Sequence, residues 1–576
     1  MPSPFTVLYS KVTAAIVDAF GDDARGTDPA LRPSQFADLQ SNAALALARR
    51  FRMAPRDAAQ RLIDHLRVKE ICAKVEVSGP GYINLTLSDL WIARQVTATA
   101  VDGRLGVPRE TPQRVVIDYS APNVAKEMHV GHLRTTVVGD ALARVLAHLG
   151  HTVIRQNHIG DWGTPFGMLI EHLLDVGEDS EEARGIATDP NAFYQSARVA
   201  FDTDPLFATR ARARVVALQA GDEETLRLWA ELVELSRQYF AAIYARLGVT
   251  LADADLAGES TYNDDLPRIC EELEAAGIAT LSQGALCVFL PGYMGREGRP
   301  VPLIIRKSDG GFGYGTTDLA AVRYRIGTLH ADRLVYVIGA PQALHLNMVW
   351  DTARRAGWLP PEITPTHVQI GNVLGPDHKI LKTRSGAPLR LAALLDEAVA
   401  TARAAIDEDR PELDEPTRSA LAPLVGIGAV KYADLSIGHA TEYAFDLERM
   451  VALNGNTSRY LQYAAARLRS LLRKAGVGPD AFGSAITVVE PAERALALRL
   501  LDFGEVTSAV GRDLEPHRLC SYLFELAQTF SVFYEQCAVV TAEPELRASR
   551  LALCALALRV LVTGLDLLGI ASPDTM

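Results

Sequence analysis

The sequence predicts an α/β protein: a Rossmann-type parallel-sheet domain with a helical insertion, an α+β N-terminal domain and an all-α C-terminal domain. Three observations carry this reading. Residues 114–119 form an apolar strand pattern, and after a turn Leu133, Val137, Ala141, Val145 and Leu149 recur at i+4 spacing before a second strand pattern at 152–157. That is one βαβ unit of a doubly wound sheet, with Gly150 as the C-cap of its helix, and ligands in such sheets sit at the carboxyl ends of the strands. Charged helical sequence over roughly 175–250 then interrupts the β pattern, which resumes at 286–290, 301–306, 334–338 and 367–373. From Leu391 to Leu568, Leu and Ala recur at three- and four-residue spacings in almost every segment.

Taken in order, the first hundred or so residues combine a helical stretch at 41–68 with alternating segments at 73–77 and 82–87, as a small α+β domain does. Gly and Pro between 103 and 112 break the pattern before the first sheet strand. The expected boundaries are 1–108 for the N-terminal domain, 109–390 for the parallel-sheet domain, 391–450 for a helical connecting region and 451–576 for the all-α domain.

A chain of 576 residues is too long for one core, and 48% hydrophobic with 22% charged residues is ordinary globular composition. The six cysteines lie far apart without C-x-x-C spacing and read as reduced, packed thiols. No signal-peptide core opens the chain and no uninterrupted apolar run resembles a membrane span, so a soluble, cytoplasmic protein without membrane attachment is expected. A net charge of −12 disfavours a nucleic-acid partner. Yet residues 456–479 contain no acid and carry Arg459, Arg467, Arg469, Arg473 and Lys474 on a helical pattern, which suits either phosphate contact or a solvated helix face.

The sharpest local signal is His129-Val130-Gly131-His132, at the start of the helix after the first strand. Composition alone gives about 0.02 occurrences of H-x-G-H in such a chain, so chance is a poor account of it. A helix amino end offers unpaired N–H groups and a positive dipole to a phosphate, and Gly131 leaves room for a ligand to approach. The two imidazoles can donate to oxygens that gain charge when phosphorus is attacked. Two satisfied histidines beside a helix cap are the bland alternative. A zinc site would need a third ligand that the spacing does not offer, so no metal ligand is assigned.

The run Asp118-Tyr-Ser-Ala-Pro-Asn-Val-Ala-Lys-Glu-Met-His-Val-Gly-His132, with Asn157-His-Ile-Gly-Asp-Trp-Gly-Thr-Pro-Phe-Gly167, resembles the arginyl-tRNA synthetase form of the class I signature HIGH, Val130 replacing Ile. The resemblance extends over essentially the whole chain, through Gly79-Pro-Gly-Tyr-Ile-Asn84 and Asn456-Thr-Ser-Arg-Tyr-Leu-Gln-Tyr463. It implies an ATP-dependent, AMP-forming ligase that makes arginyl-adenylate and passes the arginyl group to the 3′-terminal ribose of tRNA(Arg). It further implies Mg²⁺ with the ATP, activation only when tRNA is bound, and an anticodon-binding role for the C-terminal domain; a monomer is expected.

Residue roles follow from the same resemblance. His129 and His132 are the catalytic pair and, with Gly131, meet ATP. The mobile KMSKS loop of class I enzymes is replaced by His378-Lys-Ile-Leu-Lys-Thr-Arg-Ser-Gly386, a departure many arginyl enzymes share. In them a lysine ahead of the HIGH signature takes over the charge, which here is Lys126, with Lys379 and Lys382 as the alternatives. A guanidinium is planar and permanently charged, so its site needs carboxylates. The resemblance puts Glu259 and Asp318 there, with Tyr314 packing on the substrate and Asp118, Asn123 and Gln342 at its α-amino and carboxylate end. Taken singly, each acid reads as a helix cap or a surface charge. A pocket that pairs every guanidinium donor discriminates against lysine or citrulline by about 10⁴ or more without proofreading, and no inserted segment is large enough for an editing domain. Tyr460, Tyr463, Tyr534 and Met576 match anticodon-contacting positions, and Tyr82 and Asn84 positions at the tRNA elbow; ordinary packing is the alternative for each tyrosine.

Three other readings stay open from sequence. A synthetase for glutamine or glutamate would share HxGH but not the paired acids Glu259 and Asp318. A catalytically dead RNA-binding paralogue would not need Lys126, His129 and His132 intact. A small adenylyltransferase would not need the long helical C-terminal region.

Overall fold

The computed structural model describes residues 3–576 apart from 188, 296, 297, 376, 380, 382–388 and 479–483. It divides into two compact units: Glu110–Ala452 with Leu567–Ile570, and Met1–Arg109 with Leu453–Asp566 and Ala571–Met576.

In the larger unit β1 (Arg114–Tyr119), β2 (Thr152–Gln156), β3 (Arg333–Gly339) and β4 (Thr366–Ile370) form a wholly parallel sheet in the order β4-β3-β1-β2. Val115, Val116, Ile117 and Tyr119 of β1 are all buried. Such a continuous apolar run is what a strand covered on both faces requires. α1 (Val130–Leu149) connects β1 to β2 and lies so close to the sheet that a Cβ on Gly139 would come 2.4 Å from the Tyr119 side chain. The chain reaches β2 on one side of β1 and returns to β3 on the other, so the strand order reverses between β1 and β3. That reversal opens a crevice at the carboxyl ends of the strands.

The insertion between β2 and β3 contains Thr164–Val176, Pro190–Thr203, Pro205–Gln219 and α2 (Glu223–Leu247), helical as expected. Strands Ala279–Ser282, Ala285–Met294 and Pro300–Arg306 do not continue the parallel sheet but make a separate antiparallel one. Their short links allow only hairpins, since a parallel pairing needs a crossover of roughly a dozen residues or more. α3 (Tyr314–Gly327) leads into β3, α4 (Ala343–Arg355) connects β3 to β4, and α5 (Leu391–Asp409) and α6 (Glu415–Leu435) follow.

In the smaller unit a helix at Pro4–Phe20 precedes a four-stranded antiparallel sheet ordered Leu31–Pro33, Leu39–Ser41, Tyr82–Leu87, Cys72–Ser78. The single helical stretch expected at 41–68 is two helices, Ala43–Phe51 and Pro55–His65, because Arg52 turns left-handed and Pro55 opens the second. The same unit contains α7 (Ser458–Lys474), α8 (Pro491–Leu501), α9 (His517–Gln536) and α10 (Pro544–Leu567). Arg494 of α8 grips both oxygens of Asp38 at 2.7 Å and Asp89 at 2.7 Å, so α8 is clamped to the N-terminal sheet region. α10 is long and apolar enough to cross a bilayer, although 78% of its apolar stretch is buried inside the protein. All six cysteines are buried and unbridged.

The basic face expected on α7 is partly committed elsewhere. Arg459 is buried, Arg469 donates to Ser572 Oγ and the Pro573 carbonyl at 2.8 Å each, and Arg467 stacks over Tyr534 at 4.2 Å. Several of these cations hold the chain terminus and the helix core, which no charge count along the sequence could distinguish from solvated charge.

Candidate active site

The turn between β1 and α1 is strained. Ser120, Ala121 and Ala125 all adopt positive φ, at 74°, 46° and 57°. For residues other than glycine this costs of order 1–3 kcal/mol each and persists only where the surroundings enforce it. Ala121 N–H donates to Asn157 Oδ1 at 3.0 Å, and Ala125 N–H to Ser236 Oγ of α2 at 2.9 Å. Asn157 Nδ2 donates to the Tyr244 hydroxyl at 3.0 Å, which lies 2.8 Å from Ser120 Oγ. Thr136 Oγ1 is 2.8 Å from Ser120 Oγ and 2.6 Å from the His132 carbonyl. With one proton per hydroxyl, the run that satisfies every group passes from Asn157 through Tyr244, Ser120 and Thr136 to the His132 carbonyl. The insertion thus braces the turn that carries the histidines.

His129 is the N-cap of α1. Its Nδ1 accepts from Gly131 N–H at 3.0 Å, and His132 Nδ1 accepts from His129 N–H at 3.1 Å, the two rings lying 4.0 Å apart. Burial, the facing ring and Lys126 push His132 down to about 3, and burial with Lys126 lowers His129. Both imidazoles are therefore neutral near pH 7. Because each Nδ1 is an acceptor, each proton sits on Nε2, and the pair offers two N–H donors. Both rings line a 440 Å³ cavity at the carboxyl ends of β1, β3 and β4, together with Gly131, Gln342 and Asn372.

One expectation about this helix end is corrected. Its first N–H groups are not unpaired: Val130 donates to the Leu389 carbonyl at 3.1 Å, Gly131 to His129, and His132 to the His129 carbonyl at 2.8 Å. The N–H donors that the histidines add to the cavity lining are those of the imidazole Nε2 atoms. Gly131 also serves the protein itself, because a Cβ there would meet the His129 ring at 2.8 Å.

Glu259 and Asp318 form a second group. Burial, with the neighbouring Asp318 and Asp161, pushes Glu259 up to about 8. Burial also raises Asp318, but the hydrogen bond from His345 and the charges of His158, His345 and Arg325 outweigh it and hold Asp318 below the ordinary carboxylate value. His345 Nε2 lies 2.5 Å from Asp318 Oδ2 and His158 Nε2 3.7 Å from Oδ1. Near neutrality the site therefore holds one ionised and one protonated acid, an arrangement suited to a cationic guest. Tyr314, 68% exposed on the first turn of α3, sets its ring edge-on to His345 at 4.8 Å.

The remaining sequence-derived residues fall into place unevenly. Asp118 is buried and receives Arg325 at 2.7 Å through Oδ2, leaving Oδ1 buried without a partner. Asn123 is exposed beside Gly160, where any Cβ would strike its Oδ1 at 2.3 Å. Lys126 lies 4.4 Å over the Tyr194 ring. Lys379 is exposed, and Lys382 lies outside the described residues. In the smaller unit Asn84 is buried, its amide accepting from Gln40 at 2.8 Å and donating to Ser78 at 3.1 Å, whereas Tyr82 is half-buried. Tyr460 packs edge-on to Phe524 at 5.5 Å, Tyr463 is 39% exposed, and Tyr534 and Met576 are half-buried. Among the described residues no three metal-ligating side chains gather.

Sequence reasoning missed His158, His345, Asp161 and Tyr244. His158 and Asp161 sit inside the quoted Asn157-His-Ile-Gly-Asp run and could have been marked; nothing in the sequence joins His345 or Tyr244 to this site.

Comparison with known proteins agrees along the whole chain. Family models match for the class I (R) tRNA synthetase catalytic domain over residues 95–447, the arginyl tRNA synthetase N-terminal domain over 6–87 and the DALR anticodon binding domain over 461–576. The arginine–tRNA ligase of Thermobifida fusca is 65% identical over 577 residues, with 100% of both chains covered. The structure of arginyl-tRNA synthetase from Plasmodium falciparum matches with a TM-score of 0.84 at 25% identity, covering 100% of both chains. That from Thermus thermophilus matches at 0.78 and 26%, covering 99% of this chain and 100% of its own.

Proposed function

The chain belongs to the arginyl-tRNA synthetases, and from that premise we propose how its residues divide the work. Its activity is arginine–tRNA ligation: ATP activates L-arginine to the adenylate, and the arginyl group passes to the 3′-terminal ribose of tRNA(Arg). The attacking group is arginine's own carboxylate, so the protein contributes positioning and electrostatic stabilisation rather than a nucleophile. His129 and His132 donate Nε2–H to oxygens on the α-phosphorus as charge builds there. Lys126 supplies the phosphate-facing cation ahead of Lys379 and Lys382. Glu259 and Asp318 take the guanidinium, Tyr314 covers it, and Asp118, Asn123 and Gln342 hold the α-amino and carboxylate end. The observation that carries this reading is the neutral histidine pair, with its Nε2–H donors, in one unit with the neighbouring acids Glu259 and Asp318. Mg²⁺ belongs with the phosphates of ATP, because it keeps much of its water and needs few protein oxygens.

We assign 1–108 to the tRNA elbow through Tyr82, with the buried Asn84 supporting the strand that carries it, 109–390 to catalysis, 391–450 to the connection and 451–576 to the anticodon through Tyr460, Tyr463, Tyr534 and Met576. A monomer in the cytoplasm completes the proposal. The test is charging of total tRNA with each labelled amino acid, and ATP–pyrophosphate exchange with and without tRNA. Arginine alone should be charged; glutamate or glutamine charging rejects the reading.

The acid pair makes a pH prediction. A guest guanidinium requires Glu259 ionised, yet burial with Asp318 and Asp161 nearby holds it protonated below about 8. The KM for arginine should therefore fall as pH rises from about 6 to 8, by up to about tenfold per unit, and Glu259→Gln should flatten the slope. Stability of the protein without arginine added should move the other way. A carboxyl raised from 4.5 to about 8 makes the native state bind more protons than the unfolded chain across that window, so stability is lost as pH rises through it. A KM independent of pH over this range removes Glu259 from the guanidinium site.

A further inference from the structure

We propose that Arg134 is a positioning residue that fixes the far wall of the ATP cavity relative to the histidine pair. This rests on the reading of that cavity as the nucleotide site. Arg134 lies on α1 two residues after His132, and its side chain, like that of Asp434 on α6, is 0% exposed. Its Nη1 donates to two carbonyls, Gly371 and Thr441, at 2.9 Å each, while Nε pairs with Asp434 Oδ1 at 3.1 Å and the guanidinium covers the Tyr443 ring at 5.3 Å.

Each contact leads to the cavity. Gly371 follows β4 and lines the cavity with Asn372 and Val373. Its N–H donates to the His439 carbonyl at 2.9 Å, and a Cβ on it would come 2.7 Å from the Ala440 carbonyl oxygen. Beyond it, the strand Val373–Leu374 pairs in parallel with Tyr443–Ala444, and Leu381 N–H returns to the Val373 carbonyl at 3.0 Å. The segment bearing Lys379 therefore starts and ends on the strand that Arg134 anchors. One guanidinium ties the histidine helix, the cavity wall and the root of the lysine loop.

Stability alone is a poor reason for this pair. Burial pushes the Asp434 carboxyl up to about 6 in spite of the Arg134 charge. Replacing a buried ion pair by apolar side chains is often neutral or stabilising, whereas removing one partner is strongly destabilising. A geometric role explains the retained charge: Nη1 of the rigid guanidinium holds two carbonyls in fixed directions while the group stays charge-paired with Asp434, which an apolar side chain cannot do.

The test uses the full-length protein with tRNA, arginine and ATP. The double variant Arg134→Met/Asp434→Leu leaves no lone buried charge, and Arg134→Lys retains the charge but not the fork. The expected result for both is a KM for ATP raised about tenfold or more, with the KM for arginine within about twofold of the parent, measured at a temperature where a thermal melt shows each variant folded. Gly371→Ala, which pushes the same wall from behind, should give the same split if the double variant fails to fold. A parental KM for ATP in folded variants, or equal losses for ATP and arginine, overturns the proposal. Failure of the parent protein to charge arginine would instead overturn the functional reading on which it rests.

Discussion

Replacing His132 with alanine is expected to lower arginine activation and aminoacylation by about 10²-fold or more, with the fold intact. One preorganised donor aimed at developing charge is worth ~2.7–4 kcal/mol, and the Nε2–H of His132 is such a donor. The substitution also removes the acceptor for His129 N–H, which lies 3.1 Å from His132 Nδ1, so the second imidazole loosens as well. The structural loss is that of a capping interaction, about 1 kcal/mol. Steady-state turnover with saturating ATP and arginine, run beside a thermal melt, separates the two effects. A folded variant with near-parental kcat removes His132 from the chemistry.

Replacing Asp318 with asparagine should raise the dissociation constant for arginine by roughly 10²-fold or more while altering ATP affinity little. Removing one partner of a desolvated charge pair typically costs about 3–5 kcal/mol. Here the loss falls on the acid that its surroundings hold ionised, and the His345 contact at 2.5 Å also keeps its carboxylate oriented. Glu259 is the weaker partner before binding because it begins protonated, so its loss should act mainly through the pH profile. Calorimetric titration with each substrate reads the difference, and equal losses for arginine and ATP reject the assignment of Asp318.

The fold was legible wherever a pattern was local and periodic. β1, α1 with its Gly150 cap and β2 lie within a residue of where alternation and i+4 spacing put them, because each element buries a face that its own sequence defines. The hairpin strands between 279 and 306 were legible as strands but not as a separate sheet, since apolar content does not state a strand's neighbour. The N-terminal and C-terminal segments read as separate domains, yet Arg494 clamps α8 to Asp38 and Asp89, a contact across more than four hundred residues that leaves no periodic trace.

The chemistry divides along the same line. The sequence by itself determined which groups are available: two histidines flanking a glycine at a helix start, a lysine ahead of them, two acids downstream, and a resemblance specific enough to name their substrate class. Tertiary structure alone decided their states. Burial with the Lys126 charge makes both imidazoles neutral, the facing ring adding to it at His132, and the helix start, once formed, puts backbone N–H groups on each Nδ1 and so the donors on Nε2. The same causes split two like acids into one ionised and one protonated. Protonation depends on desolvation, neighbouring charge and hydrogen-bond partners, and for the acids these come from segments as distant as Glu259 and Asp318, or Asp318 and His158, that meet only when the chain has folded.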